Sequence, residues 1–263
     1  MKNKYKKFCI CISIFLFFSN NIANSDQSFT YEAQQIEILE GGNIIKGENE
    51  VKITIADNIT ITANKLEYNR SSQLVKLTGN IKLEDKVNKI TLNTNELFYL
   101  KSKNKIFSET KTNFVFNDNY FAETKSFVFF PAQKKLSSKD QVEIYDNLGN
   151  LFSINEFEYA IDKKTFRGLD TRFIDLEKNE FLISNTMINL ETNQIFGKDL
   201  KINFNKVSFG NLENDPRLKA RSFVNKDGVT SINKGVFTTC KKTDTCPPWS
   251  MYAEKITHDN DEE

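Results

Sequence analysis

The residues whose types suit covalent or acid-base chemistry are few: a single histidine, His258, the pair Cys240 and Cys246, a further Cys9 and Cys11 within the apolar run near the start, and carboxylates spread along 263 residues. A Ser-His-Asp or Cys-His arrangement would have to use His258, and neither a nucleophile elbow nor a zinc-binding helix accompanies it. His258 reads as an exposed polar residue among acids. A glycosidase needs two carboxylates meeting across a cleft, whereas the acids here fall on the polar positions of a repeated pattern, where a solvated surface accounts for them. Cys240 and Cys246 can bridge to each other or take partners elsewhere. A structural zinc would need about four ligands, and only His258 is available to join them, so in an exported chain a disulfide is the stronger reading. No cofactor, no metal and no enzymatic activity are expected.

What the chain offers in abundance is apolar surface at a fixed spacing. Six copies of one pattern run from Gln35 to Leu190: a polar residue, an apolar one, any residue, then a second large apolar one. The apolar pairs are Ile36 and Ile38, Leu66 and Tyr68, Leu97 and Tyr99, Phe127 and Phe129, Phe157 and Tyr159, and Ile188 and Leu190, at steps of 30 or 31 residues. A fixed period of this size marks a repeat architecture whose units bury their apolar faces against their neighbours. Binding chemistry follows directly. Burying apolar groups is worth about 0.8 kcal/mol per methylene, so these twelve side chains on one inner face are a candidate groove for lipid acyl chains.

The elements that must position them are strands. Apolar residues recur at every second position and are largely β-branched or aromatic, which excludes a helical reading. Turn-like stretches follow each pair (Asn69-Arg70-Ser71-Ser72, Lys101-Ser102-Lys103-Asn104, Asp162-Lys163-Lys164), and a second apolar run such as Val75-Lys76-Leu77 or Val142-Glu143-Ile144 comes after each turn. Each unit is therefore strand, turn, strand. The extra residue of a 31-residue step must sit in a turn or bulge, because inside a strand it would reverse every later side chain. The expected fold is all-β, an elongated jelly roll of repeated hairpins, with a parallel β-helix as the alternative; short turns favour the antiparallel form.

Targeting and composition frame this array. Residues 1–25 read as a cleaved signal peptide forming a signal helix, with Lys2, Lys4, Lys6 and Lys7 ahead of an apolar run from Phe8 to Phe18 and small residues at Ala23 and Ser25. That run is about half of the roughly 20 residues a helix needs to cross a bilayer. Lys plus Arg number 36 against 35 for Asp plus Glu, and the signal holds Lys2, Lys4, Lys6 and Lys7 with no acid, so the mature part is close to neutral or slightly acidic and nothing points to nucleic acid. The expected divisions are 1–25 for the signal, 26–206 for the jelly roll and 207–263 for a junction containing a hairpin near Asn225-Lys226-Asp227-Gly228 and then the cysteines.

Two sets of residues carry a resemblance. The repeats, with Leu77-Thr78-Gly79-Asn80-Ile81 after an alternating strand, resemble the OstA-type periplasmic domain of lipopolysaccharide transport proteins. The segment Asn214-Asp215-Pro216-Arg217-Leu218-Lys219, then Gly235-Val236-Phe237-Thr238-Thr239-Cys240, Pro247-Pro248-Trp249 and Ala253-Glu254-Lys255-Ile256-Thr257-His258-Asp259 resembles the stretch that leads into the outer-membrane barrel of the LptD family. The resemblance implies a periplasmic protein associated with the outer membrane that passes lipopolysaccharide outward. Its implied partners are lipopolysaccharide, an OstA-type bridge protein at an edge strand and, with a barrel, an outer-membrane lipoprotein. In that family N-terminal cysteines bond to barrel cysteines, and Cys240 matches such a position. The chain stops at Glu263, where barrel strands would begin, which reads as an N-terminal fragment, a split reading frame or the domain used without its barrel; a stand-alone bridge protein is the alternative, and a secreted polysaccharide-acting β-helix enzyme the second.

Overall fold

Alternation of two residue classes sets the local structure. In Ile59-Thr60-Ile61-Thr62-Ala63 the period of two sends Ile59, Ile61 and Ala63 to one face, where they are buried, and the intervening threonines to the other. The computed structural model describes residues 29–259 apart from 57, 117–118, 147–148, 150, 211 and 244–247. The expected signal peptide and Cys246 lie outside the described residues. Among those described there are twenty strands and four short 3-10 turns. The first strands are β1 (Phe29–Glu32), β2 (Gln35–Leu39), β3 (Ile44–Ile55), β4 (Ile59–Asn69), β5 (Leu74–Asp85) and β6 (Ile90–Leu100). Shorter ones follow: β7 (Lys105–Ser108), β8 (Thr112–Phe116), β9 (Tyr120–Thr124), β10 (Phe127–Phe130), β11 (Lys135–Ser138), β12 (Val142–Asp146), β13 (Leu151–Ile154) and β14 (Glu156–Ala160). Long strands return with β15 (Thr165–Ile174), β16 (Glu180–Asn189), β17 (Gln194–Asn203), β18 (Arg217–Lys226), β19 (Val229–Thr238) and β20 (Met251–Asp259).

Every pairing among them is antiparallel, which makes the fold a jelly roll of hairpins and excludes the parallel β-helix. Each long strand is shared by two sheets. The half of β6 from Ile90 pairs with β8 and the half ending at Leu100 pairs with β7; the two branches then continue separately, through β9, β12 and β13 on one side and β10, β11 and β14 on the other. They rejoin on β15, which pairs with β13 near its end and with β14 near its start. Two sheets thus face each other, joined along a common seam where the strands bend, with hairpin turns at the free margins. One sequence repeat is one strand across both sheets and one strand back.

The seam is where side-chain phase slips. In β15 the buried residues are Phe166, Gly168 and then Thr171, so Leu169 and Asp170 both face outward; in β17 they are Gly197, Leu200 and Ile202. Neighbouring strands slip at the same level, so pairing resumes in register beyond the bend: Leu169 opposes Asn185 and Thr171 opposes Ile183. In β3 and β5 the seam holds an additional residue, and register shifts there mark β-bulges. Left-handed backbone at the bends of Asn49, Glu50, Gly79, Asn80, Asp170, Asp199 and Lys234 supplies the kink.

Close approach at the seam demands small residues. A Cβ at Gly197 would sit 2.1 Å from Cε1 of Phe223, and one at Gly168 would sit 2.7 Å from Cγ2 of Ile154. The expected hairpin at 225–228 joins β18 to β19 with Asp227 and Gly228 at positive φ, as a two-residue turn requires, and β18 to β20 extend the same ladder to residue 259. Replacing Gly197 by Ala forces the Phe223 ring out of place, so we expect a loss of about 1–3 kcal/mol, read as a lower urea midpoint with an unchanged slope.

Candidate apolar binding chamber

Register places the candidate site residues in two rows that run the length of the second sheet. Nearer the free margin, Ile38, Ile45, Tyr68, Val75, Tyr99, Ile106, Phe129, Leu136, Tyr159, Phe166, Ile188 and Ile195 oppose one another in succession. From β7 to β15 the seam row alternates large and small, with Phe127 opposite Ser108 and Phe157 between Ser138 and Gly168, and farther along Phe223 is opposite Gly197. Facing them, the first sheet presents an unbroken apolar row that includes Ile53, Leu92, Phe114, Ile144, Phe152, Phe173 and Phe181. The interior between the sheets is therefore apolar from both sides.

It is not uniformly filled. From β3 to β11 it is a solid core: Leu66, Leu97, Tyr99, Phe127 and Phe129 are all at most 3% exposed. Rings there meet across the sheets, Phe114 with Phe127 at 5.2 Å and Phe116 with Tyr159 at 5.5 Å between centroids. Beyond β14 the ring pairs run within one sheet, Phe152 with Phe173 at 4.6 Å and Phe157 with Phe166 at 5.0 Å. The sheets part at that point. Between them lies a cavity of about 280 Å³ lined by Phe116, Tyr120, Ile144, Phe152, Ile154, Tyr159, Phe166, Phe173, Ile188, Leu190, Asn193 and Ile195. It separates the main core from a smaller cluster built on Ile183, Leu200, Ile202, Leu218 and Phe223.

Of the twelve side chains expected to form one trough, only Tyr159, Ile188 and Leu190 line this chamber. Leu66, Leu97, Tyr99, Phe127, Phe129 and Phe157 are buried in the packing, and Tyr68 packs against Phe29 and Tyr31. Ile36 and Ile38 share the inner face with Gly47 and Ile45, but β2 is an edge strand that no other described residue covers, leaving them 50% and 64% exposed. The sixth copy is also shifted. Thr186, not Ile188, opposes Gly168 in the seam row, and Leu190 falls beyond the end of β16. Most of the chamber wall, including Phe116, Phe152, Phe166, Phe173 and Ile195, comes from the return strands and the opposite sheet. The signal that could have found them is the second apolar run of each unit, half a period away.

Electrostatics keep charge off the chamber. Its lining holds no charged side chain, and ion pairs decorate the outer faces, Lys76 with Glu96 at 2.6 Å and Arg172 with Glu180 at 2.6 Å. The Arg172 hydrogen bond, aided by Asn203, holds the Glu180 carboxyl below the usual carboxylate range; Lys206 and the Lys242 backbone do the same for Asp215. Asp85, buried at a free margin, is satisfied by the Asn88 amide and side chain. Cys240 is half-buried, forms no disulfide among the described residues, and lies with Sγ 3.6 Å from the Trp249 carbonyl. His258 lies on the exposed edge strand, opposite Thr230.

Hydroxyls line the seam differently on the two sides. In the filled part Ser108 donates to the Glu96 carbonyl at 2.8 Å and lies 3.3 Å from the Thr94 hydroxyl, while Thr124 meets Ser138 at 3.2 Å. Beside the chamber, the buried Oγ1 atoms of Thr171 and Thr186 find no partner among the described residues.

With this geometry in hand, likeness to known proteins is limited and specific. Residues 18–145 match the family model described as OstA-like protein. That span is a little under half of the chain. No curated protein matches it. Among solved structures, the crystal structure of LptH from Pseudomonas aeruginosa, the LptA homologous periplasmic component of the conserved lipopolysaccharide transport device, is 13% identical. The alignment covers 40% of this chain and 76% of that one, with a TM-score of 0.35.

The hydroxyl contrast is testable by stability. Thr171→Val exchanges an unpartnered buried hydroxyl for a methyl and should be neutral or stabilising, whereas Ser108→Ala removes the donor to the Glu96 carbonyl and the acceptor of the Thr110 amide and should cost about 1–3 kcal/mol. Chemical denaturation of the two variants reads the difference directly.

Proposed function

We propose that this chain is the periplasmic part of a lipopolysaccharide transport and assembly apparatus, holding an acyl chain of the lipid between its sheets while the sugars stay in solvent. The observation that carries this reading is the uncharged, aromatic-walled chamber between the sheets. Exposing an acyl chain of about a dozen carbons to water costs on the order of 10 kcal/mol at about 0.8 kcal/mol per methylene, so a carrier is needed wherever such a lipid crosses an aqueous space. The OstA-like match over residues 18–145 supports the same reading. Export by the signal at 1–25, a jelly roll over 26–206, a junction over 207–263 and a disulfide involving Cys240 and Cys246 belong to this proposal.

Two assignments share that chemistry. The resemblance of Asn214 to Asp259 to the LptD junction favours an outer-membrane assembly protein, with a lipoprotein partner. Unpaired backbone along β1, β2 and β20 favours a bridge protein, because open edges accept further strands. Either way an OstA-type partner continues the sheet.

Photo-crosslinkers at Ile188 and Ile195, in cells, should capture lipopolysaccharide several-fold more than crosslinkers at the outward Glu67 and Glu158. Equal capture at the four positions would remove the chamber as the lipid site.

A further inference from the structure

The chamber is blocked at one end, and at the other the marginal row of the second sheet turns polar beside the smaller apolar cluster. Phe116 from the first sheet and Tyr159 from the second meet edge to face with an interplanar angle of 71°, closing the side toward the filled core. Behind them stand Phe114 and Phe127, also edge to face at 84°. In the other direction the inner row of the second sheet changes character: after Ile195 come Asn225, Thr230 and His258 in register. Asn225 donates to the Thr230 hydroxyl at 2.8 Å, and Asn193 lines the chamber at its margin.

Size follows from two comparisons. An apolar cavity of about 150 Å³ accommodates benzene, with six carbons, so a chamber of about 280 Å³ has room for on the order of eleven. Along the roll, the wall runs from Tyr159 on β14 to Ile195 on β17, three strand spacings or roughly 14 Å. Both measures fit one extended chain and leave no room for a second.

We propose that the chamber is an end-stopped site for a single linear acyl chain of on the order of a dozen carbons, its methyl end against the Phe116–Tyr159 pair and its polar end toward Asn193, Asn225 and Thr230. This rests on the lipid-carrier reading and adds which chain length is selected and by which residues. The blocked end also confines the lipid to the part of the roll beyond β14.

Calorimetric titration of the purified protein with saturated fatty acids from octanoic to octadecanoic tests the stop. Affinity should rise roughly fourfold per added carbon, the equivalent of about 0.8 kcal/mol per methylene, as far as about dodecanoic acid, and then level off. Phe116→Ala should extend the rise by several carbons. Ile195→Phe, which fills the chamber from a half-buried position and leaves the ring pair intact, should end it earlier. A rise that continues to octadecanoic acid, or a break unmoved by Ile195→Phe, overturns the end-stop while leaving a carrier in place; absence of binding by every acid removes the carrier reading as well. Competition by lipopolysaccharide and by phosphatidylethanolamine then distinguishes which amphiphile supplies the chain.

Discussion

Everything in this molecule depends on strands being shared by two sheets and bending at one common seam. A bend in a single strand would cost its ladder hydrogen bonds. Here adjacent strands bend together, so Leu169 and Asn185 on one side of the seam and Thr171 and Ile183 on the other keep a single register. The requirement this places on sequence is local: small residues where a ring must cross, as Gly197 lies under Phe223, and left-handed backbone at such positions as Asn80 and Asp170. Both apolar faces then point inward, and the interior becomes continuous along the array.

What fills that interior varies along the chain. Where the seam row alternates large and small, as with Phe127 opposite Ser108 and Phe157 opposite Ser138, rings from opposite sheets interlock and the core is solid. Where three small residues follow in succession, Gly168, Thr186 and Gly197, the seam row of β15 to β17 carries no ring of its own, and ring pairs stack within each sheet. Packing efficiency is surrendered there. The two unpartnered threonine hydroxyls, Thr171 and Thr186, fall in the same stretch of the seam.

The strand periodicity made the fold class legible from residues alone, because a period of two with aromatic and β-branched types has one physical reading. The first five copies of the repeated pattern also pointed to true structural equivalents on β2, β4, β6, β10 and β14. The sixth did not: a polar Thr186 occupies the seam position, and the apolar match slid by two residues to Ile188 and Leu190. Filling was invisible for a different reason. Whether Tyr99 meets a partner ring or an opening depends on the opposite sheet, some half a period away in sequence, and whether Ile36 is covered depends on what lies beyond an edge. Neither is encoded in the residue itself.

The backbone bonds of these ladders run from strand to strand, along the length of the roll, and among the described strands none ties one free margin to the other. Spreading the margins would therefore rotate the two halves about the seam, as covers turn about the spine of a book, without cutting the ladders. Resistance comes from side chains alone. It is greatest where rings interlock from both covers and least beyond Tyr159, so the volume opens from its C-terminal pages first.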